Sequence, residues 1–186
     1  MTPPRLRDAR RAAVERLRAH SDTPALDADL LLCAALGVER AFLLAHLDEP
    51  LSAEAAAQFA AWLDRAAAGE PIAYLLGSRG FYGRDFLITP DVLIPRPETE
   101  LLLEQALEWA TNHPVQWAAD IGTGSGALAV SFAAHTPSAQ VAAVDISPAA
   151  LNVARANAER HGVLERVTFF QGDLLAPLTE RSISPD

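Results

Sequence analysis

The sequence predicts an α/β fold: a helical bundle, followed by a partial sheet of parallel strands alternating with helices, the two joined by a β-hairpin. Three observations predict it. The first seventy or so residues are rich in Ala, Leu and Arg, with apolar positions at helical spacing. From Val115 onward, short β-type runs alternate with helical ones, as parallel strands joined by crossovers require. Between these stretches, residues 77–97 concentrate glycine, proline and aromatics, the composition of a tight turn between short strands. The expected divisions are a helical domain over 1–72, a hairpin linker over 73–96 and an α/β domain over 97–186.

In chain order, Pro4 can open a first helix whose apolar positions are Leu6, Val14 and Leu17, with Arg10 on the same face. A second runs from about Pro24 to Leu36 and stops at Gly37, its expected apolar stripe being Leu26, Leu30, Cys33 and Ala34. After the apolar segment Ala41–Leu47, Ser52 is placed to cap a helix through Ala68, with Glu54 near the positive end of the helix dipole and Gly69 as terminator. Phe81–Tyr82 and Phe86–Ile88 flank Gly83 as the strands of a hairpin. Pro95 and Pro97 bracket Arg96 and lead into a helix that starts with Glu98, Thr99 and Glu100 and ends near Thr111. Val115–Ile121, Gln140–Ile146 and Val167–Gln171 are expected strands, with helices over Gly126–Ala134 and Pro148–His161 between them.

Composition narrows the function. Half of the 186 residues are hydrophobic and 21% are charged, enough for a buried core and without an apolar run of membrane-spanning length. Nor does the Arg-rich start, which contains Asp8 and Glu15, have the apolar segment of a secretory signal, so a cytoplasmic location is expected. The formal charge of −9 disfavours direct nucleic-acid binding, which depends on Lys and Arg neutralising phosphates. Cys33 is the only cysteine and the five histidines lack metal-ligand spacing, so no metal site is expected.

The chemistry concentrates in Asp120-Ile-Gly-Thr-Gly-Ser-Gly126, at the end of the first parallel strand. Gly122, Gly124 and Gly126, with Thr123 and Ser125 between them, allow a sharp turn and a close backbone approach to a ligand, and the next helix aims its amides there. Gly122, Gly124 and Ala127 also satisfy a dinucleotide pattern, so an NAD(P)-dependent oxidoreductase is the rival reading. Asp120 helps to separate the two: a carboxylate there would repel a pyrophosphate and favour the ammonium of S-adenosylmethionine. Asp145 ends the second strand, where an acceptor can hold ribose hydroxyls in either kind of site. Asp173 ends the third and could accept from an adenine amino group, with Leu174 against the ring. The plain alternative is that Asp145 and Asp173 cap the following helices.

With these residues in place, the chain resembles the HemK/PrmC family of protein methyltransferases. The resemblance is carried by Leu93-Ile-Pro-Arg-Pro-Glu-Thr-Glu100, by Gly77 with Phe81-Tyr82, and by Asp120–Gly126, and it extends to about Arg181. It implies a helical domain that docks a peptide chain release factor and a Rossmann-like domain that methylates, from S-adenosylmethionine, the glutamine of a Gly-Gly-Gln motif. It assigns Gly122–Gly126 to the methionine portion of the cofactor, Asp145 to the ribose, and Asp173 with Leu174 to the adenine. Arg96, Glu98 and Thr99 are expected to line the acceptor channel.

The family's Asn-Pro-Pro-Tyr signature, which holds the acceptor amide, is absent from the 186 residues. Catalytic residues are therefore assigned to none of them, and the chain is expected to be a fragment, or one whose reading frame or terminus departs from the family at about Ser182, binding cofactor without transferring methyl. Residues 182–186, polar and containing Pro185, are expected to be disordered. Another methyltransferase, with a DNA or small-molecule acceptor, and a non-enzymatic module that binds a release factor but no cofactor are the remaining alternatives.

Overall fold

A computed structural model describes residues 4–186 and divides the chain into two compact units, which meet in sequence between Leu76 and Gly77. The hairpin residues fall in the second unit.

The first unit is helical. Its helices are α1 (Leu6–Leu17), α2 (Pro24–Leu36), α3 (Arg40–Ala45), α4 (Ala53–Ala67) and the five-residue α5 (Ile72–Leu76), which sequence reading leaves out. Ser52 caps α4 by accepting from the Ala55 N–H at 3.2 Å, and Gly37 ends α2 with φ +66°. Two expected stripes need correction. On α1 the buried positions are Leu6, Ala13 and Leu17, and Val14 is half-buried. On α2 they are Ala28, Asp29, Leu31 and Leu32, whereas Leu26 and Ala34 are exposed. Apart from Asp27 and Asp29, α2 is apolar on every face, so periodicity has nothing to select a side with. Leu43, Leu51, Phe59, Leu63 and Leu75 complete the core, and Cys33 packs against it half-buried, where burial pushes its thiol up.

Asp29 is the exception in this interior. Its fully buried carboxylate takes the guanidinium of Arg10 through Oδ1 and that of Arg40 through Oδ2, the latter at 2.9 Å. Asp29→Ala removes the shared acceptor and leaves two cations beside an apolar core. We expect a loss of about 1–3 kcal/mol, the lower part of that range reflecting how far both arginines reach solvent. An unchanged urea midpoint would show that the cluster is incidental.

The second unit opens with the hairpin β1 (Ser78–Phe81) and β2 (Arg84–Leu87), antiparallel in a register that pairs Phe81 with Arg84. Tyr82 (φ +48°) and Gly83 (φ +71°) form its two-residue turn, both in the left-handed region that matches strand twist. Helix α6 (Pro97–Asn112) follows, with proline at its first position, and the Glu100 carboxylate reaches back to the Tyr82 N–H at 2.8 Å.

The parallel sheet has the order β3-β4-β5, from Trp117–Ile121, Gln140–Asp145 and Val167–Gln171. Its connections are α7 (Ala127–His135) and α8 (Pro148–Arg160), the latter followed by a single 3-10 turn at Leu164–Arg166; a short α9 (Ala176–Thr179) comes after β5. The central strand β4 is buried from Val141 to Val144. The first parallel strand starts at Trp117, two residues later than expected from Val115, and the second stops at Asp145.

Residues 182–186 are not the loose end expected of them. Ile183 packs with Phe170 and Leu178, and Asp186 joins the edge of β3, its N–H donating to the Trp117 carbonyl at 3.0 Å and its carboxylate accepting from Gln116 and Trp117. These backbone donors lower the Asp186 pKa. An unpaired strand edge recruits polar chain that composition alone marks as disordered. Among the described residues, no helix is long and apolar enough to cross a membrane.

Candidate functional site

The carboxyl ends of β3, β4 and β5 carry Asp120, Asp145 and, two residues beyond the strand, Asp173. The loop after β3 is tied to β4 by its backbone: the N–H groups of Gly122 and Thr123 both donate to the Val144 carbonyl, at 2.8 and 2.9 Å. Both carboxylates then grip the loop. Asp120 Oδ2 accepts from the Thr123 hydroxyl at 2.7 Å and from the Ala129 N–H in the first turn of α7 at 3.1 Å. Asp145 accepts from the Gly124 N–H through Oδ2 and from the Ser147 N–H through Oδ1, each at 2.9 Å.

Burial pushes the Asp120 carboxyl above its ordinary range; the Thr123 hydroxyl and the Ala129 N–H pull it back, and the nearby Asp145 carboxylate adds to the rise. An acid held like this gains from a cation placed beside it.

The three glycines divide into two kinds. Gly122 (φ +77°) and Gly124 (φ +54°) have essentially open space where a side chain would begin. Gly126 (φ +78°) instead meets α8: a Cβ there would lie 3.0 Å from the Ala154 Cβ and 3.1 Å from its Cα. The first two leave room for a ligand, and the third is required by helix packing.

A cleft of about 150 Å³ runs along this loop, lined by Asp120, Gly122–Ser125, Ala127 and Leu128 on one side and by Leu93–Arg96 with Thr99 on the other. It brings together two segments that the sequence separates by more than twenty residues. Of the expected acceptor-side residues, Arg96 and Thr99 line the cleft, whereas Glu98 is exposed on the first turn of α6 and outside the lining. Asp145 reaches the cleft only through Gly124, and Asp173 and Leu174 are exposed and outside its lining.

Helix capping does not account for these acids. Ser147, not Asp145, caps α8 by accepting from the Ala150 N–H at 3.2 Å, and α9 has no side-chain cap.

Sequence reasoning passed over Ile146, placing it inside a strand. It lies just past the end of β4 and is 70% exposed, level with Leu174, which is 67% exposed and strained at φ +47°. Two bare apolar side chains beside Asp145 and Asp173 suit an aromatic ring. The available signal was an apolar residue wedged between the strand's Asp and the Ser147-Pro148 helix start.

Residues 8–77 match the PrmC N-terminal domain, and residues 118–184 match a methyltransferase domain. The release factor glutamine methyltransferase of Moorella thermoacetica is 49% identical over 174 residues, covering 93% of this chain and 62% of that protein. Its Burkholderia pseudomallei counterpart is 55% identical over 148 residues, 80% of this chain and 52% of that protein. The chain is thus similar, over most of its own length, to release factor glutamine methyltransferases. It spans between about half and three-fifths of the length of these relatives. In family terms, the helical unit carries the PrmC N-terminal domain, and the sheet with its glycine loop lies in the methyltransferase domain.

Proposed function

We propose that residues 77–186 form the S-adenosylmethionine cradle of a protein-glutamine methyltransferase acting on peptide chain release factors. The observation that carries this reading is the cleft joining Arg96 and Thr99 to Asp120 and the glycine loop. At 150 Å³ the cleft is smaller than the roughly 300 Å³ or more of a typical ligand site, so it suits the amino-acid end of the cofactor and the methyl group. The nucleoside then extends over the open ends of β4 and β5, toward Asp145, Ile146, Asp173 and Leu174.

Each residue has a physical task in this reading. Asp120 offers the ammonium a counter-charge whose pairing relieves its own desolvation. Gly122 and Gly124 let the backbone approach, and the first turn of α7 faces the carboxylate with its amide dipoles. Asp145 holds the loop by Gly124 and keeps acceptor capacity for the ribose. When bound, S-adenosylmethionine supplies an electrophilic methyl group on a sulfonium. Across the cleft, Arg96 and Thr99 orient the acceptor amide, and positioning of this kind is worth effective molarities of about 10⁵ M or more. The helical unit would serve as the release-factor docking domain.

Titration calorimetry tests the cofactor assignment: the chain should bind S-adenosylhomocysteine and not NADH. Binding of NADH alone would replace the reading with the oxidoreductase one. Ile146→Ser sharpens the test, because an exposed side chain contributes little to folding, within about 0.5 kcal/mol. We expect an unchanged unfolding midpoint and an S-adenosylhomocysteine affinity roughly tenfold weaker, from the lost contact with the ring. Equal affinity in the variant would remove Ile146 from the adenine site.

A further inference from the structure

We propose that Asn157 positions the glycine loop by tying it to the hairpin; the proposal rests on the reading of that loop as the cofactor cradle. Asn157 lies in α8 and is fully buried on a face otherwise made of Ala150, Leu151, Val153, Ala154 and Ala158. A primary amide among such neighbours is costly unless every group is bonded, and here it is bonded in three directions. Its Nδ2 donates to the Ser125 carbonyl at 2.9 Å and to the Leu87 carbonyl at 3.0 Å, while its Oδ1 accepts from the Leu87 N–H at 2.7 Å.

The partners explain why the residue is Asn. β2 pairs with β1 along one edge and turns the backbone of Asp85 and Leu87 toward α8. Asn157 satisfies both groups of Leu87, and His161, one turn later, reaches the Asp85 carbonyl through Nε2 at 3.0 Å. No aspartate, serine or alanine can donate twice and accept once from a single planar group. The second Asn157 donor goes to Ser125, immediately before Gly126, which itself rests on Ala154 three residues earlier on α8. One stretch of α8 therefore fixes the loop at two points and the hairpin at two more. Asn157 lines no part of the cleft, so its influence on the cofactor passes through the backbone of Ser125.

Asn157→Asp in the whole chain retains an acceptor for the Leu87 N–H but sets a carboxylate against two carbonyl oxygens. Amide exchange in the ligand-free protein should speed up at Gly122–Gly126, and S-adenosylhomocysteine affinity should fall roughly tenfold. Val163→Ala, which opens a cavity just beyond α8 without touching the loop, should lower the unfolding midpoint and leave both readouts unchanged. Asn157→Ser, with room for a bridging water, serves where Asn157→Asp does not fold. Unaltered loop exchange in the folded Asn157 variant, or the same change in Val163→Ala, overturns the proposal. Failure of the unsubstituted chain to bind S-adenosylhomocysteine would refute the cofactor reading, while the exchange comparison still decides the positioning role.

Discussion

Asp120→Asn is expected to make the ligand-free chain more stable and its complex with S-adenosylmethionine weaker. Both effects come from the same carboxylate. Burial raises the Asp120 pKa, so between the ordinary value of 3.8 and the raised one the native state holds a proton that the unfolded chain has released. Stability from this group is therefore greatest at low pH and declines as pH rises through that window. Above that window the wild-type chain carries the full cost of a desolvated charge.

Asparagine has no charge to desolvate, yet its Oδ1 can still accept from the Thr123 hydroxyl and the Ala129 N–H, so the loop keeps its anchors. The lost counter-charge appears only when the ammonium arrives. A charge-assisted hydrogen bond of about 1.5–3 kcal/mol corresponds to a roughly ten- to hundredfold weaker complex. Thermal unfolding at pH 5 and pH 7, with calorimetric titration of S-adenosylhomocysteine, checks both halves. A variant that unfolds earlier at pH 7, or binds as tightly as the parent, contradicts the assignment.

Gly126→Val should be among the most damaging single changes in the second unit. Its φ of +78° costs a β-branched residue about 1–2 kcal/mol, and the new Cβ meets the Ala154 Cβ at 3.0 Å and its Cα at 3.1 Å. The second of these neighbours is helix backbone, which cannot rotate away. Forcing α7 and α8 apart adds about 1–3 kcal/mol, for a total of roughly 2–5 kcal/mol. Gly122→Ala, with a similar φ of +77° but nothing in its way, should lose only the backbone part. Urea unfolding of the two variants separates the contributions. Equal midpoints would mean that the contact with Ala154 is relieved at no cost.

Strand and helix were legible wherever a local signal was decisive. Gly37, Ser52 and Pro97 each mark a helix end by their own chemistry, and the helices beside them fall within a residue or two of expectation; Gly83 marks the turn, but β1 begins at Ser78, three residues before the expected Phe81, and Tyr82 lies in the turn rather than in the strand. What escaped were matters of partnership. The buried face of α2 depends on Asp29 finding Arg10 and Arg40, which no apolar period encodes. Residues 182–186 read as loose because their order is supplied by the edge of β3.

The candidate site was legible in the same uneven way. Asp120 and the glycines announce themselves by spacing, yet that spacing cannot tell that Gly122 and Gly124 face open space while Gly126 is needed for α8. Ile146 was hidden because an apolar residue at a strand end looks like core. Asn157 was hidden because an Asn in an Ala-rich helix looks like surface until Leu87 and Ser125 come into contact with it.

The two sides of the cleft differ in how they are held. The glycine loop hangs from β4, which is hydrogen-bonded to a neighbour on each edge, and from two buried contacts with α8. Facing it, Leu93–Arg96 belongs to no helix or ladder; its local restraints are Pro95, Pro97 and the Arg96 carbonyl, which accepts from the Thr99 N–H. Local opening is easiest where such backbone bonds are fewest. The cleft therefore has one wall anchored in the sheet and α8 and another whose backbone stands outside both, so any opening of the cleft is expected to start from the Leu93–Arg96 side.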